Sequence, residues 1–179
     1  GTITIGNRKA TRFYPAAGTD ERDFIHACLL ASLSDETPEG RSIVELGREN
    51  GLKMRELNTA GSRMIRFSAE TKSSGVDLSD GIRIRKGAYD AIRKICADAG
   101  GTFPQETEGI IRKISEKGGT PLVVSVNERV AGVIELQDVI KPGIQERFGR
   151  LRKMGVKTVM VTGDNPLTAK YIAEKAGVD

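Results

Sequence analysis

The sequence predicts two architectures in one chain: a hairpin-rich α+β module over residues 9–136, inserted into an α/β unit made of residues 1–8 and 137–179. Three observations predict it. Apolar and polar residues alternate on both sides of Asp80-Gly81, and strand-like runs flank Asn127-Glu128, which reads as two antiparallel hairpins. Stretches with helical spacing lie before and between these hairpins. From about Gln137 the style changes to helix–strand–helix, with the strand in the β-branched run 156–161.

The elements follow in order. Residues 2–5 read as a short strand ended by Gly6-Asn7, and 11–14 as a second strand ended by Pro15. Thr19 or Asp20 caps a helix with acidic Glu21 and Asp23 in its first turn and Phe24, Cys28 and Leu29 on its apolar face. Thr37-Pro38-Glu39 starts a second helix, with Pro at the first helical position and Gly51 at its end. Strands are expected at 64–68, 74–78 and 82–85. A helix then carries Ala88, Ala91, Ile92, Ile95 and Cys96, and another carries Ile110, Ile111 and Ile114. Strands at 122–126 and 130–136 form the second hairpin. Ile144, Phe148, Leu151 and Met154 share one helical face, and Ala169, Ile172, Ala173 and Ala176 share another.

Composition excludes several classes. The 179 residues are 38% hydrophobic and 29% charged, so disorder and low-complexity chains are out. No apolar run approaches the ~20 residues a bilayer span needs. Two cysteines, Cys28 and Cys96, both at apolar helix positions, do not make a disulfide scaffold. The net charge of +4 is spread along the chain without a nucleic-acid motif, so it reads as a mixed-charge surface. The chain opens on Gly1 directly into a strand and stops just past a helix, and both ends read as cut points.

The chemistry-bearing residues fall in four places. Thr162-Gly163-Asp164-Asn165 follows the 156–161 strand and precedes a helix, where open α/β sheets bind ligands and helix N–H groups suit phosphate. An ordinary capping turn, with Asn165 ahead of Pro166, is the alternative. Arg85-Lys86-Gly87 ends a strand with a cation beside a residue that permits close backbone approach. Phe67 is one of few aromatics and offers a stacking face, or a core side chain. The stretch from Asp35 to Ser42, Asp-Glu-Thr-Pro-Glu-Gly-Arg-Ser, is dense in polar groups that capping explains only in part. His26 is the sole histidine, mid-helix between Ile25 and Ala27, which argues against a His-based zinc site or a Ser–His pair.

Together these segments resemble the P-type ATPases. Gly1-Thr2-Ile3-Thr4 looks like the tail of the Asp-Lys-Thr-Gly-Thr phosphorylation motif, and Thr162-Gly163-Asp164-Asn165 like the Thr-Gly-Asp motif of the same domain. The stretch from Asp35 to Ser42, the Arg85-Lys86-Gly87 segment and Leu151-Arg152-Lys153-Met154-Gly155 are similar to the catalytic B subunit of the Kdp-type, potassium-transporting branch. Copper-type relatives carry Ser-Glu-His-Pro where this chain has Thr37-Pro38, which disfavours a heavy-metal pump.

The resemblance implies a nucleotide-binding domain, a twisted antiparallel sheet with flanking helices, inserted into an incomplete haloacid-dehalogenase-like phosphorylation domain. It implies that Phe67 stacks on adenine and that Ser74, Lys86 and the Gly87 backbone line the same pocket, with Asp35 and Glu39 near the nucleotide. Thr162 and Asp164 would lie near the phosphoryl group, and Asp138 would support the hinge. The implied cofactors are ATP and, in the parent enzyme, magnesium. The implied partners are the other subunits of a potassium pump, with no nucleic acid and with membrane contact only through helices outside this chain. The parent would sit in the cell membrane with this part on its cytoplasmic side. The nucleophilic aspartate would precede Gly1, so the chain alone is expected to bind nucleotide without turning it over. A soluble phosphatase of the same architecture and a basic nucleic-acid-binding module are the alternatives.

Overall fold

The computed structural model describes residues 2–163 and 166–178. Its centre is one antiparallel sheet of six strands in the order β1-β6-β5-β4-β3-β2. The strands are β1 (Thr4–Pro15), β2 (Arg63–Ile65), β3 (Ser73–Asp77), β4 (Arg83–Gly87), β5 (Thr120–Val126) and β6 (Arg129–Ile140). The helices are α1 (Glu21–Ser32), α2 (Pro38–Glu49), α3 (Tyr89–Asp98), α4 (Gln105–Glu116), α5 (Ile144–Lys153) and α6 (Pro166–Ala176), with one 3-10 turn at Met54–Glu56. The α+β module expected from the sequence is therefore present.

The period-2 alternation of a strand sends neighbouring residues to opposite faces, and the sheet uses both. Val124, Ile134 and Leu136 pack with Ile84 and Val76 under α1 and α2, whose Phe24, Cys28, Leu29 and Ile43 are buried. Val123 and Val133 point the other way, onto Ile92 and Cys96 of α3 and Ile111 and Ile114 of α4. Phe13 meets Phe24 edge to face, with ring centroids 6.1 Å apart.

Local chemistry sets the element ends. The Asp20 carboxylate accepts from the Arg22 and Asp23 N–H groups and starts α1. Thr37 Oγ1 accepts from Gly40 N and starts α2 one residue ahead of Pro38. Asn127 and Glu128 both adopt left-handed backbone (φ 48° and 60°) in the β5–β6 turn. Asn127 also bridges to β4, donating from its N to Arg83 O and accepting at Oδ1 from Arg83 N.

Three expectations are corrected. The separate strands at 2–5 and 11–14 are one twelve-residue strand, β1, because β6 supplies a template of equal length and the Gly6-Asn7 break is absorbed as an irregularity in register between Thr4 and Arg8. The strand expected at 64–68 is only Arg63–Ile65, which leaves Phe67 beyond it. Residues 156–161 form no strand: the sheet is antiparallel throughout, none of its strands pairs with this run, and Val159 and Val161 are 76% and 93% exposed. A β-branched run has strand propensity but becomes a strand only beside a hydrogen-bonding neighbour. The apolar face of α5 exists, with Ile144, Phe148 and Leu151 half-buried, but Met154 is exposed and no residue of the helix is fully buried.

The expected domain boundaries, 8/9 and 136/137, both fall inside strands, and Lys9 pairs with Gln137 in the β1–β6 ladder. Among the described residues no helix is long and apolar enough to cross a membrane.

Candidate functional site

A cleft of about 690 Å³ opens between the start of α2, the loop before β3, the end of β4 and the β5–β6 pair. Its lining includes Asp35, Glu39, Phe67, Ser74, Lys86 and Gly87, six residues singled out in the sequence for one pocket. Four separate stretches of chain bring them there. Antiparallel pairing sets Ser74 opposite Lys86 and Ser73 opposite Gly87, so the third and fourth strands deliver their residues side by side.

Lys86 and Asp35 form the polar floor. The Lys86 side chain is 3% exposed, and its Nζ is paired with Asp35 Oδ2. Asp35 Oδ1 accepts from Thr37 N at 3.1 Å and from Thr37 Oγ1 at 2.6 Å. Thr37 thus holds the carboxylate while capping α2. Burial pushes the Asp35 carboxyl upward, but hydrogen bonds from Lys86 and Thr37, with the Lys86 charge, outweigh it and hold the group below its ordinary 3.8. Gly40 makes room for this arrangement, since a Cβ there would collide with the Asp35 side chain and carbonyl oxygen. Beneath it, Cys28 is fully buried and its thiol is pushed well up by burial, with only partial opposition from Lys86.

The rim differs in character. Phe67 is 67% exposed, an aromatic face presented to solvent at the mouth. Gly87 lets the start of β3 approach the end of β4 closely, because a Cβ there would sit 2.5 Å from Lys72 O. Glu39 Oε1 accepts from Arg8 N at 3.4 Å, and Ser42 links α2 to β1 by accepting from Ala10 N at 2.9 Å. Arg8 also reaches Asp138, with Nε 3.9 Å from Oδ1. Arg8 and Asp138 pair directly across β1 and β6, so Asp138 lies one contact from the cleft.

The cleft also takes residues that sequence reasoning missed: Arg8, Thr37, Ile43, Lys72, Pro121 and Leu136 among them. Thr37 was legible as a cap. Arg8 and Leu136 carry no local signal, because only the β1–β6 pairing brings them near Lys86. Thr162 does not line the cleft; it is exposed and follows the irregular run 156–161 rather than a strand. Asp164 lies outside the described residues. A second cleft, about 530 Å³, opens near His26, Asp80 and Arg129 and contains none of the expected site residues.

An aromatic face, a buried cation and a glycine backbone without a side chain together suit a ligand with a planar ring and an anionic tail. Among the described residues no group of three or more His, Cys, Asp or Glu side chains converges as a metal site would need.

A family model described as haloacid dehalogenase-like hydrolase matches residues 1–179. The chain is 56% identical over 180 residues to a protein of Erwinia tasmaniensis named potassium-transporting ATPase ATP-binding subunit. It is 51% identical over 179 residues to one of the same name from Caldanaerobacter subterraneus. Each comparison covers 100% of this chain and 26% of the relative, so the chain spans about a quarter of the length of these relatives. Among solved structures, a zinc-transporting PIB-type ATPase superimposes with a TM-score of 0.78 at 24% identity, over 100% of this chain and 27% of that one. A catalytic domain of a CPx-ATPase does so with a TM-score of 0.60 at 15% identity, over 100% of this chain and 57% of that one. At those identities the likeness establishes the fold alone.

Proposed function

Because the chain belongs over its whole length to the haloacid dehalogenase-like hydrolases, we propose that it is the ATP-binding part of a potassium-transporting P-type ATPase. It comprises the nucleotide-binding module, residues 9–136, with adjoining parts of the phosphorylation domain. The observation that carries this is the convergence of Asp35, Glu39, Phe67, Ser74, Lys86 and Gly87 on one cleft, in a chain whose relatives are named for binding ATP.

In this reading adenine stacks on the exposed Phe67 ring. Lys86, pinned by Asp35, keeps a fixed cation at the cleft floor without searching rotamers on binding. Ser74 and the Gly87 backbone offer polar contacts alongside. The triphosphate then extends toward the phosphorylation aspartate of the longer protein, with Thr162 and Asp164 on the phosphoryl side. Catalysis of this kind rests on positioning, and the module's task is to hold and present the nucleotide. The longer protein acts in the membrane with its partner subunits, and this part faces the cytoplasm.

The test is an NMR titration of the chain with ATP, in wild type and Phe67→Ala. Shifts clustered at Phe67, Ser74 and Lys86 that weaken in the variant are expected. Shifts elsewhere, or none at millimolar nucleotide, would overturn the reading.

A further inference from the structure

The face of β6 opposite the cleft carries a chain of hydrogen bonds that the nucleotide site does not use. Glu135 Oε2 accepts from Thr11 Oγ1 at 3.1 Å, and its Oε1 accepts from Tyr14 OH at 3.2 Å. Gln137 Nε2 donates to Glu135 Oε2 at 2.8 Å. Gln137 Oε1 then accepts from Tyr171 OH at 3.0 Å and from Lys175 Nζ at 3.4 Å, both on α6. The Lys175 ammonium also lies over the Tyr171 ring, 4.7 Å from its centroid. Gly118 clears the way for that ring, since a Cβ there would lie 2.8 Å from Tyr171 Cβ.

The chain runs from β1 through β6 to α6 and crosses the boundary expected at 136/137. Its middle link is an amide that serves both sides at once: Nε2 donates to Glu135 and Oε1 accepts from Tyr171 and Lys175. A glutamate at 137 would keep the contacts to α6 but set two carboxylates against each other on β6, and an apolar residue would lose all of them. The neighbouring residue, Leu136, points to the other face and lines the cleft. Gln137 therefore couples α6, which the Thr162-Gly163 segment leads into, to the strand that walls the cleft.

We propose that Gln137 is a positioning residue: its amide latches α6 to β6 and so sets where the phosphoryl-handling segment stands relative to bound nucleotide. This rests on the ATP-binding reading above, and the test separates the two. Amide exchange across α6 is measured by NMR in the chain as wild type, Gln137→Leu and the swap Glu135→Gln/Gln137→Glu. Tyr171→Phe serves as a milder second variant should Gln137→Leu fold poorly. Exchange at Ile172 and its neighbours should quicken about tenfold in Gln137→Leu, which removes the acceptor for Tyr171 and Lys175. It should stay near wild type in the swap, where a carboxylate at 137 still accepts from Tyr171 and Lys175 and an amide at 135 restores the donor–acceptor link between the two positions. In the full-length protein that carries this chain, phosphoenzyme formation should slow about tenfold in Gln137→Leu at unchanged KM for ATP, and stay near wild type in the swap. Unchanged α6 exchange in Gln137→Leu, quickened exchange in the swap, or a KM change without a rate change would each overturn the latch. Absence of ATP-induced shifts in the wild-type chain would overturn the nucleotide reading instead, and the exchange result would still decide the latch.

Discussion

Replacing Asp35 by Asn should destabilise the chain in a way that pH reveals. The change keeps the shape and leaves Oδ1 able to accept from Thr37, but turns Nδ2 toward the Lys86 ammonium, donor against donor. Lys86 is 3% exposed, so its charge loses its counter-ion without gaining water. Removing one member of a buried pair costs about 3–5 kcal/mol, and the 21% exposure of Asp35 trims that to about 2–3 kcal/mol. For a chain of this size that is a fall in Tm of about 4–12 °C. The sign with pH follows from the lowered carboxyl. Its contribution is fully present above the unfolded value of 3.8 and is lost as pH falls through the folded value. Urea unfolding at pH 7 should therefore separate wild type from Asp35→Asn, and the gap should close in acid. Adding Lys86→Met should recover part of the loss at pH 7, because the uncompensated charge is then gone. Equal stability at pH 7, or a gap that persists unchanged in acid, would refute this account of the cleft floor.

Other outcomes follow from the same geometry. Thr37→Val removes the α2 cap and both side-chain restraints it provides, and should cost about 1–2 kcal/mol in urea unfolding. Gly75→Ala drives a Cβ into the Ile84 carbonyl oxygen, a backbone atom that cannot step aside, and should cost about 3 kcal/mol or abolish soluble expression. Phe67→Ala should leave thermal stability within about 0.5 kcal/mol because the ring is exposed. The same variant should weaken ATP binding by about 1–3 kcal/mol in calorimetry if the ring stacks on the base. Val161→Lys, at a residue 93% exposed, should leave the unfolding midpoint of this chain unchanged.

Local signals were legible where short-range chemistry decides the outcome. Asp20 and Thr37 announced their helices because a side chain two or three residues away satisfies the free N–H groups. Asp80-Gly81 and Asn127-Glu128 announced turns because Gly81 and Asn127 are residue types that left-handed backbone favours. The six cleft residues were legible only through resemblance to a family; locally, Lys86 reads as a solvated cation and Phe67 as a core ring. The structure reverses both local readings, since Lys86 is buried and Phe67 exposed.

By itself, then, the sequence determined the α+β class, the helix starts, the two hairpins and the polar cluster at the head of α2. These depend on interactions within a few residues. The tertiary structure alone decided that β1 is one long strand, that 156–161 is none, and that Arg8, Asp35, Lys86 and Leu136 share a cleft. Each of those outcomes depends on whether a distant strand is present to pair with, and strand pairing leaves no local trace in the chain.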